Sequence, residues 1–149
     1  QAQILDLLRE LNRDYGVAII LISHDLGVVA NICQRVAVMY AGELVEVSDV
    51  RTAFKAPRHP YTFGLLSSLP AFAAERGELV PMPGQPPDLS ALPPGCPFLP
   101  RCAKVTLRCR GDAAPTLAPY ASSEADAGIA MAPDHLVACY NPIAVALRE

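Results

Sequence analysis

The sequence predicts an α/β fold that gives way to a small irregular module rich in proline and cysteine. Three observations carry this. An amphipathic helical stretch runs straight into an unbroken apolar run, Val17 to Ile22, and two short β-prone runs follow it closely. All 15 prolines lie between Pro57 and Pro142, so residues 1–56 contain none, and four of the five cysteines fall from Cys96 onward. Hydrophobic residues make up 52% of the 149 and charged residues 18%, below the roughly 25% charge of an average soluble chain, which predicts folding rather than disorder. A net charge of -3 offers no basic footprint, so nucleic acid is not an expected partner. No apolar run approaches the ~18 residues of a membrane span.

The elements follow in order. Ile4, Leu5, Leu8, Leu11 and Tyr15 recur at helical spacing between polar residues, and Gly16 is placed to end the helix, so an amphipathic helix packed on one face is expected. Val17 to Ile22 has the length and continuous apolarity of a strand buried on both faces, as in parallel sheets. Ser23-His24-Asp25 closes that strand, and Leu26 to Cys33 reads as a second helix capped by Asp25 or Ser23, with Cys33 in the core. Ligands of open α/β sheets bind beyond the carboxyl ends of the strands. His24 is therefore a site candidate, against the plainer reading of a histidine held at a helix start for structural reasons. Arg35 to Tyr40 and Leu44 to Val47, joined through Ala41-Gly42-Glu43, form a hairpin at the sheet edge. Ser48 is expected to cap a short helix through Phe54 that Pro57 stops, and Pro60 to open another toward Pro70. His59 reads as a surface loop residue.

From Pro81 to Tyr120 proline is dense and regular structure should be scarce. Such a segment needs a staple. Five residues separate Cys96 from Cys102, six separate Cys102 from Cys109, and Cys139 returns from far along the chain. Four soft sulfur ligands suit zinc or an iron–sulfur cluster, although structural zinc sites usually use closer Cys-x(2–4)-Cys pairs. Disulfides and unliganded buried thiols stay open beside the metal reading. The odd cysteine count and the lack of a recognisable secretory leader give the expectation of a reducing, cytosolic setting. Residues 121–132, mostly small, read as a connecting loop. Gln1 is not an initiator methionine and opens directly on a helical pattern, which gives the expectation of a piece of a longer chain.

Two stretches carry a family resemblance. Ala18-Ile19-Ile20-Leu21-Ile22-Ser23-His24-Asp25-Leu26, followed by Val36-Ala37-Val38-Met39-Tyr40-Ala41-Gly42-Glu43-Leu44-Val45-Glu46, resembles the last third of the nucleotide-binding domain of ATP-binding cassette transporters, a P-loop fold. The resemblance implies that His24 is the switch histidine that contacts the γ-phosphate of ATP, bound with magnesium. Pro83-Gly84-Gln85-Pro86-Pro87-Asp88-Leu89, Leu92-Pro93-Pro94-Gly95-Cys96-Pro97-Phe98, Pro100-Arg101-Cys102, His59-Pro60-Tyr61-Thr62, Cys109 and His135 to Tyr140 resemble the C-terminal extension of oligopeptide and dipeptide importer ATPases. There the resemblance implies a [4Fe–4S] cluster on Cys96, Cys102, Cys109 and Cys139, with zinc the lesser alternative. Leu99 stands where relatives often have histidine, and Ala103 where proline is common. His135, near Cys139, reads as a loop histidine or as a donor to a ligating sulfur.

The resemblance divides the chain into the end of the nucleotide-binding domain (1–56), a helical linker (57–80) and a Pro/Cys-rich extension (81–149). It implies a second ATPase subunit, membrane-spanning permease subunits and, indirectly, an external solute-binding protein as partners. The implied location is the cytoplasmic face of the membrane, as a peripheral subunit. No phosphate-binding loop, signature motif or catalytic glutamate is found in these residues, so the chain alone is expected to have no ATPase activity. The alternative is a metal-dependent binding or regulatory module on an α/β scaffold with no catalytic function.

Overall fold

A computed structural model describes residues 2–70, 81–111, 113–121 and 134–144. The expected connecting loop lies, past residue 121, outside the described residues.

Helix α1 (Ala2–Tyr15) ends where expected, with Gly16 at φ +64° and its N–H donating to Asn12 O at 3.0 Å. The left-handed conformation that glycine adopts freely satisfies one of the helix's last carbonyls. Its apolar face is not packed as expected, because Ile4, Leu7 and Tyr15 are more than half exposed. The apolar run that follows is likewise not a strand: residues 17–22 form no ladder, and Ile20 and Ile22 are 94% and 95% exposed. A parallel strand exists only through hydrogen bonds to neighbours, and among the described residues no strand lies beside this run. Helix α2 (Leu26–Ile32) is capped by Asp25, whose Oδ1 accepts from the N–H of Gly27 and of Val28.

Strands β1 (Arg35–Tyr40) and β2 (Glu43–Asp49) form the predicted hairpin, with Tyr40 opposite Glu43 and a register shift at Val38/Met39. The two turn residues, Ala41 at φ +52° and Gly42 at φ +86°, both have the positive φ of a type I′ turn, whose twist matches the strands. Two short strands far along the chain complete the sheet, β3 (Ala118–Pro119) and β4 (Leu136–Val137), in the order β1-β2-β4-β3 with every pair antiparallel. The fold is thus mixed α/β around a small antiparallel sheet, with Pro119 on the edge strand where its missing donor does least harm.

Helix α3 (Val50–Lys55) is capped by Asp49 rather than by Ser48: Asp49 Oδ1 accepts from Thr52 N–H at 2.9 Å. Ser48 is still inside the strand and fully buried, and its hydroxyl donates to Asp49 O. The extended residue at the junction takes the cap. Helix α4 (Pro60–Ser67) follows, opened by Pro60 as expected but capped by His59. Two 3₁₀ turns, Leu99–Arg101 and Leu107–Arg110, shape the cysteine segment.

The main core cluster joins the hairpin, α4 and the cysteine segment. Tyr40 from β1, Val45 from β2 and Phe98 from the cysteine segment are buried together, with Tyr61 of α4, Met82, Cys96 and Cys102 packed around them. The Tyr40, Tyr61 and Phe98 rings meet at centroid distances of 4.6, 5.1 and 5.5 Å with tilted or edge-on geometry. Such pairs add about 0.5–1.5 kcal/mol each beyond their burial. The turn supplies a test: Ala41→Asn, which gives the Asn-Gly pair preferred in this turn, should raise the unfolding free energy by about 0.5–1 kcal/mol in denaturant titration, and Gly42→Ala should lower it by about 1 kcal/mol.

Candidate functional site

Glu46 lies in mid-strand on β2 and is 1% exposed. A buried carboxylate is tolerated only when it is bonded on all sides, and three donors surround this one. Oε1 accepts from Arg58 N–H at 2.7 Å and Oε2 from His59 N–H at 3.0 Å. His135 Nε2 lies 2.7 Å from Oε1 and donates, since an ionised carboxylate can only accept. One side chain therefore ties the hairpin to the start of α4 and to the approach of β4. Arg58, itself buried, extends the tie: its guanidinium donates to Ile143 O at 2.7 Å, Ile143 N–H donates to Arg58 O at 2.8 Å, and its Cζ lies 4.8 Å from the centre of the Tyr120 ring.

This framework sets one wall of a narrow, partly open cleft. Cys96, Cys102, Cys109 and Cys139 all line it, together with His59, Phe98, Leu99, Lys104 and Tyr140. The predicted set thus converges, although Cys139 is 30 residues beyond Cys109 in sequence. All four are free thiols, so the disulfide alternative is not formed. The convergence is held locally. Gly95 sits at φ +82°, and a Cβ there would lie 2.3 Å from Gly111 O and 3.0 Å from Cys109 O, so only glycine lets the Cys96 arm approach the Cys109 turn. Lys104 Nζ donates to Pro142 O at 2.8 Å and Asn141 Nδ2 to Lys104 O at 2.9 Å, which fastens the Cys139 arm to the Cys102 arm.

Each sulfur also meets backbone donors. Lys104 N–H points to Cys102 Sγ at 3.4 Å, Asn141 N–H to Cys139 Sγ at 3.4 Å, and Thr106 N–H to Cys109 Sγ at 3.5 Å. The N–H groups of Phe98 and Leu99 serve Cys96. Burial pushes the thiols of Cys96 and Cys102 above their ordinary value and that of Cys139 up to about 11, while these donors pull the other way. The cleft is thus provided with backbone donors for charge on its sulfurs. Among the described residues no group of three or more His, Cys, Asp or Glu side chains could hold a metal ion, so metal binding is not shown by this arrangement. The donor chemistry still fits a cluster, because its thiolates bind different irons and need not meet at one point.

The other predicted residues fare differently. His24 is exposed at the bend before α2, next to the Asp25 cap, and the cleft does not include it. His135 sits in the loop directly before β4, as read, but it is 1% exposed and is bonded to Glu46, not to a sulfur. His59, expected on the surface, is 1% exposed. Its Nδ1 accepts from Tyr61 N–H at 3.1 Å, capping α4, and burial pushes its pKa down to about 4 against the opposing pull of Glu46. Glu46 and Arg58 were not foreseen as part of any site. A signal was present only for His59, which directly precedes Pro60 at the first helical position, the place for an N-cap.

Residues 45–109 match the sequence family described as the oligopeptide/dipeptide transporter, C-terminal region. Residues 45–109 are thus similar to the C-terminal region of this transporter family. It is 46% identical over 143 residues to the oligopeptide transport ATP-binding protein OppD of Salmonella typhimurium, covering 96% of this chain and 39% of that protein. It is 51% identical over 109 residues to the dipeptide transport ATP-binding protein DppD of Bacillus subtilis, covering 73% of this chain and 32% of the relative. The oligopeptide transport ATP-binding protein OppD of Haemophilus influenzae is 50% identical over 110 residues, 74% of this chain and 34% of its own length. The chain thus spans about two fifths or less of these relatives. The match to the transporter C-terminal region runs from β2 to the third cleft cysteine, and so contains Glu46, Arg58 and His59 as well as Cys96, Cys102 and Cys109.

Two predictions follow from the buried network. Glu46→Ala strands three donors and should lower the unfolding free energy by about 3–5 kcal/mol, whereas Glu43→Ala, exposed on the same strand, should change it by less than about 0.5 kcal/mol in denaturant titration. For His59 the folded pKa of about 4 lies below the ordinary 6.5, so between those values the unfolded chain binds the proton more strongly. Its contribution, on the order of 3 kcal/mol, should be complete above pH 6.5 and lost as pH falls toward 4. His59→Asn, which keeps a cap acceptor, should flatten that part of the stability profile.

Proposed function

We propose that this chain is the closing part of the ATP-hydrolysing subunit of an ATP-binding cassette importer for peptides. The observation that carries the reading is the extent of similarity, 46% identity over 96% of the chain to an oligopeptide transport ATP-binding protein. In this reading residues 1–56 end the P-loop nucleotide-binding domain, 57–80 link, and 81–149 form the extension. The exposed Ile20 and Ile22 pack against the rest of that domain. ATP with magnesium is held between two such subunits, whose closure moves permease subunits at the cytoplasmic face of the membrane, fed by an external solute-binding protein. His24 donates an imidazole N–H to the γ-phosphate. Phosphoryl transfer depends mainly on positioning and on stabilising charge at those oxygens. His24→Ala in the intact subunit should lower the hydrolysis rate about a hundredfold with ATP binding retained; unchanged hydrolysis would contradict the role.

Cys96, Cys102, Cys109 and Cys139 are read as holding a [4Fe–4S] cluster, supported by their convergence on one cleft and by the N–H donors at each sulfur. The cluster supplies a covalent staple and a one-electron centre. The chain's part is to bring the four sulfurs together, shield them with Phe98 and Leu99, and offset their charge with backbone dipoles and Lys104. Anaerobic purification of the intact protein should give iron and sulfide in equal amounts. Zinc without sulfide, or neither metal, would overturn the assignment.

A further inference from the structure

The bend that carries His24 is braced by the residues on either side of it. Asp25 N–H donates back to Ser23 Oγ at 3.0 Å, and Asp25 Oδ1 accepts from Gly27 N–H at 2.9 Å and from Val28 N–H at 3.1 Å. Short side-chain-to-backbone bonds of this kind fix the turn that they close. Gly27 leaves room for the carboxylate, since a Cβ there would lie 3.2 Å from Oδ1. Asp25 itself is extended, at φ -88° and ψ 100°, while its carbonyl already accepts Val29 N–H at 3.2 Å, so the chain passes from bend to helix at a single residue. The helix is anchored in turn: Val29 is buried, and Leu26 borders an apolar hollow with Val36 and Val38 of β1 and Phe54 of α3. His24, between the two braced residues, is exposed.

We infer that Asp25, aided by Ser23, is the positioning residue of the hydrolytic step, fixing the backbone from which the His24 imidazole reaches the γ-phosphate without itself touching the nucleotide. The inference rests on the reading of His24 proposed above. A ring N–H that must meet a phosphate oxygen at hydrogen-bond distance works only from the right backbone, and misplacement by about 1 Å can cost two orders of magnitude in rate. An exposed bend without its braces holds the working conformation for only part of the time, and the rate falls by that fraction. The part played by the carboxylate is geometric: its Oδ1 is taken up by two backbone donors, and its negative charge would repel a phosphate. An uncharged acceptor of the same shape should therefore serve as well.

Steady-state hydrolysis and equilibrium ATP binding by the intact subunit test this. Asp25→Ala, which removes the acceptor, should lower kcat about tenfold. Its ATP affinity should stay within about twofold of wild type. Asp25→Asn, an equally good cap without the charge, should recover the rate to within about threefold of wild type. The pair of substitutions is decisive: once His24→Ala has removed the imidazole, Asp25→Ala has nothing left to position and should cost no more than about a further twofold. A full second loss in that background, a wild-type kcat in Asp25→Ala, or an Asp25→Asn variant as slow as Asp25→Ala would overturn the inference and leave the role of His24 standing. Undiminished hydrolysis in His24→Ala would overturn that role and the inference with it. Should Asp25→Ala not fold, Ser23→Ala, which removes only the acceptor of Asp25 N–H, takes its place. A reduced kcat with ATP affinity kept then supports the inference, and an unchanged kcat or a lost ATP affinity counts against it.

Discussion

The carboxylate of Glu46 sits among three N–H donors at the point where three distant parts of the chain meet. A charge in that position costs several kcal/mol to desolvate, and only the full set of partners offsets it. The arrangement is therefore close to all or none: losing one partner leaves a charge or a donor buried without compensation. The strand register, the start of α4 and the approach of β4 are specified together by a single side chain, which apolar packing alone, being non-directional, would specify less sharply.

The cysteine cleft depends on that junction from both sides. His59 and Pro60, which line it, leave the strand region through amide groups that Glu46 holds. Cys139 follows β4, whose pairing with β2 places Val137 beside Glu46. Phe98, between Cys96 and Cys102, packs on Tyr40 of the hairpin. The sulfur-lined space is thus continuous with the core of the sheet, and the proline-rich segment, poor in regular structure, takes its order from contact with that core and from glycine-dependent close approaches such as that of Gly95 to Gly111.

What could be read from residue order was what local chemistry decides. The hairpin follows from two β-prone runs around Ala41-Gly42, the end of α1 from Gly16, the cap of α2 from Asp25, and the sulfur set from four cysteines in a stretch that needs a staple. Where a choice lay between adjacent residues it went astray: Asp49 caps α3 because Ser48 is still committed to the strand. Long-range pairing was out of reach. Glu46 and His135 are 89 residues apart, and nothing in the neighbourhood of either announces the other, so His59 and His135 read as loop residues although both are buried. The apolar run from Val17 to Ile22 has the composition of a buried strand, but composition cannot supply the neighbouring strands that would make it one.

The central claim is that the Glu46 junction opens only when the whole fold opens. Native-state hydrogen exchange at the amides of Arg58 and His59, both of which donate to that carboxylate, tests this most directly. Both amides should exchange with the same opening free energy and the same denaturant dependence as the most protected amides of β1 and β2. Exchange of either through a low-energy, denaturant-independent fluctuation would mean that the carboxylate is only a local tether and does not hold the junction closed.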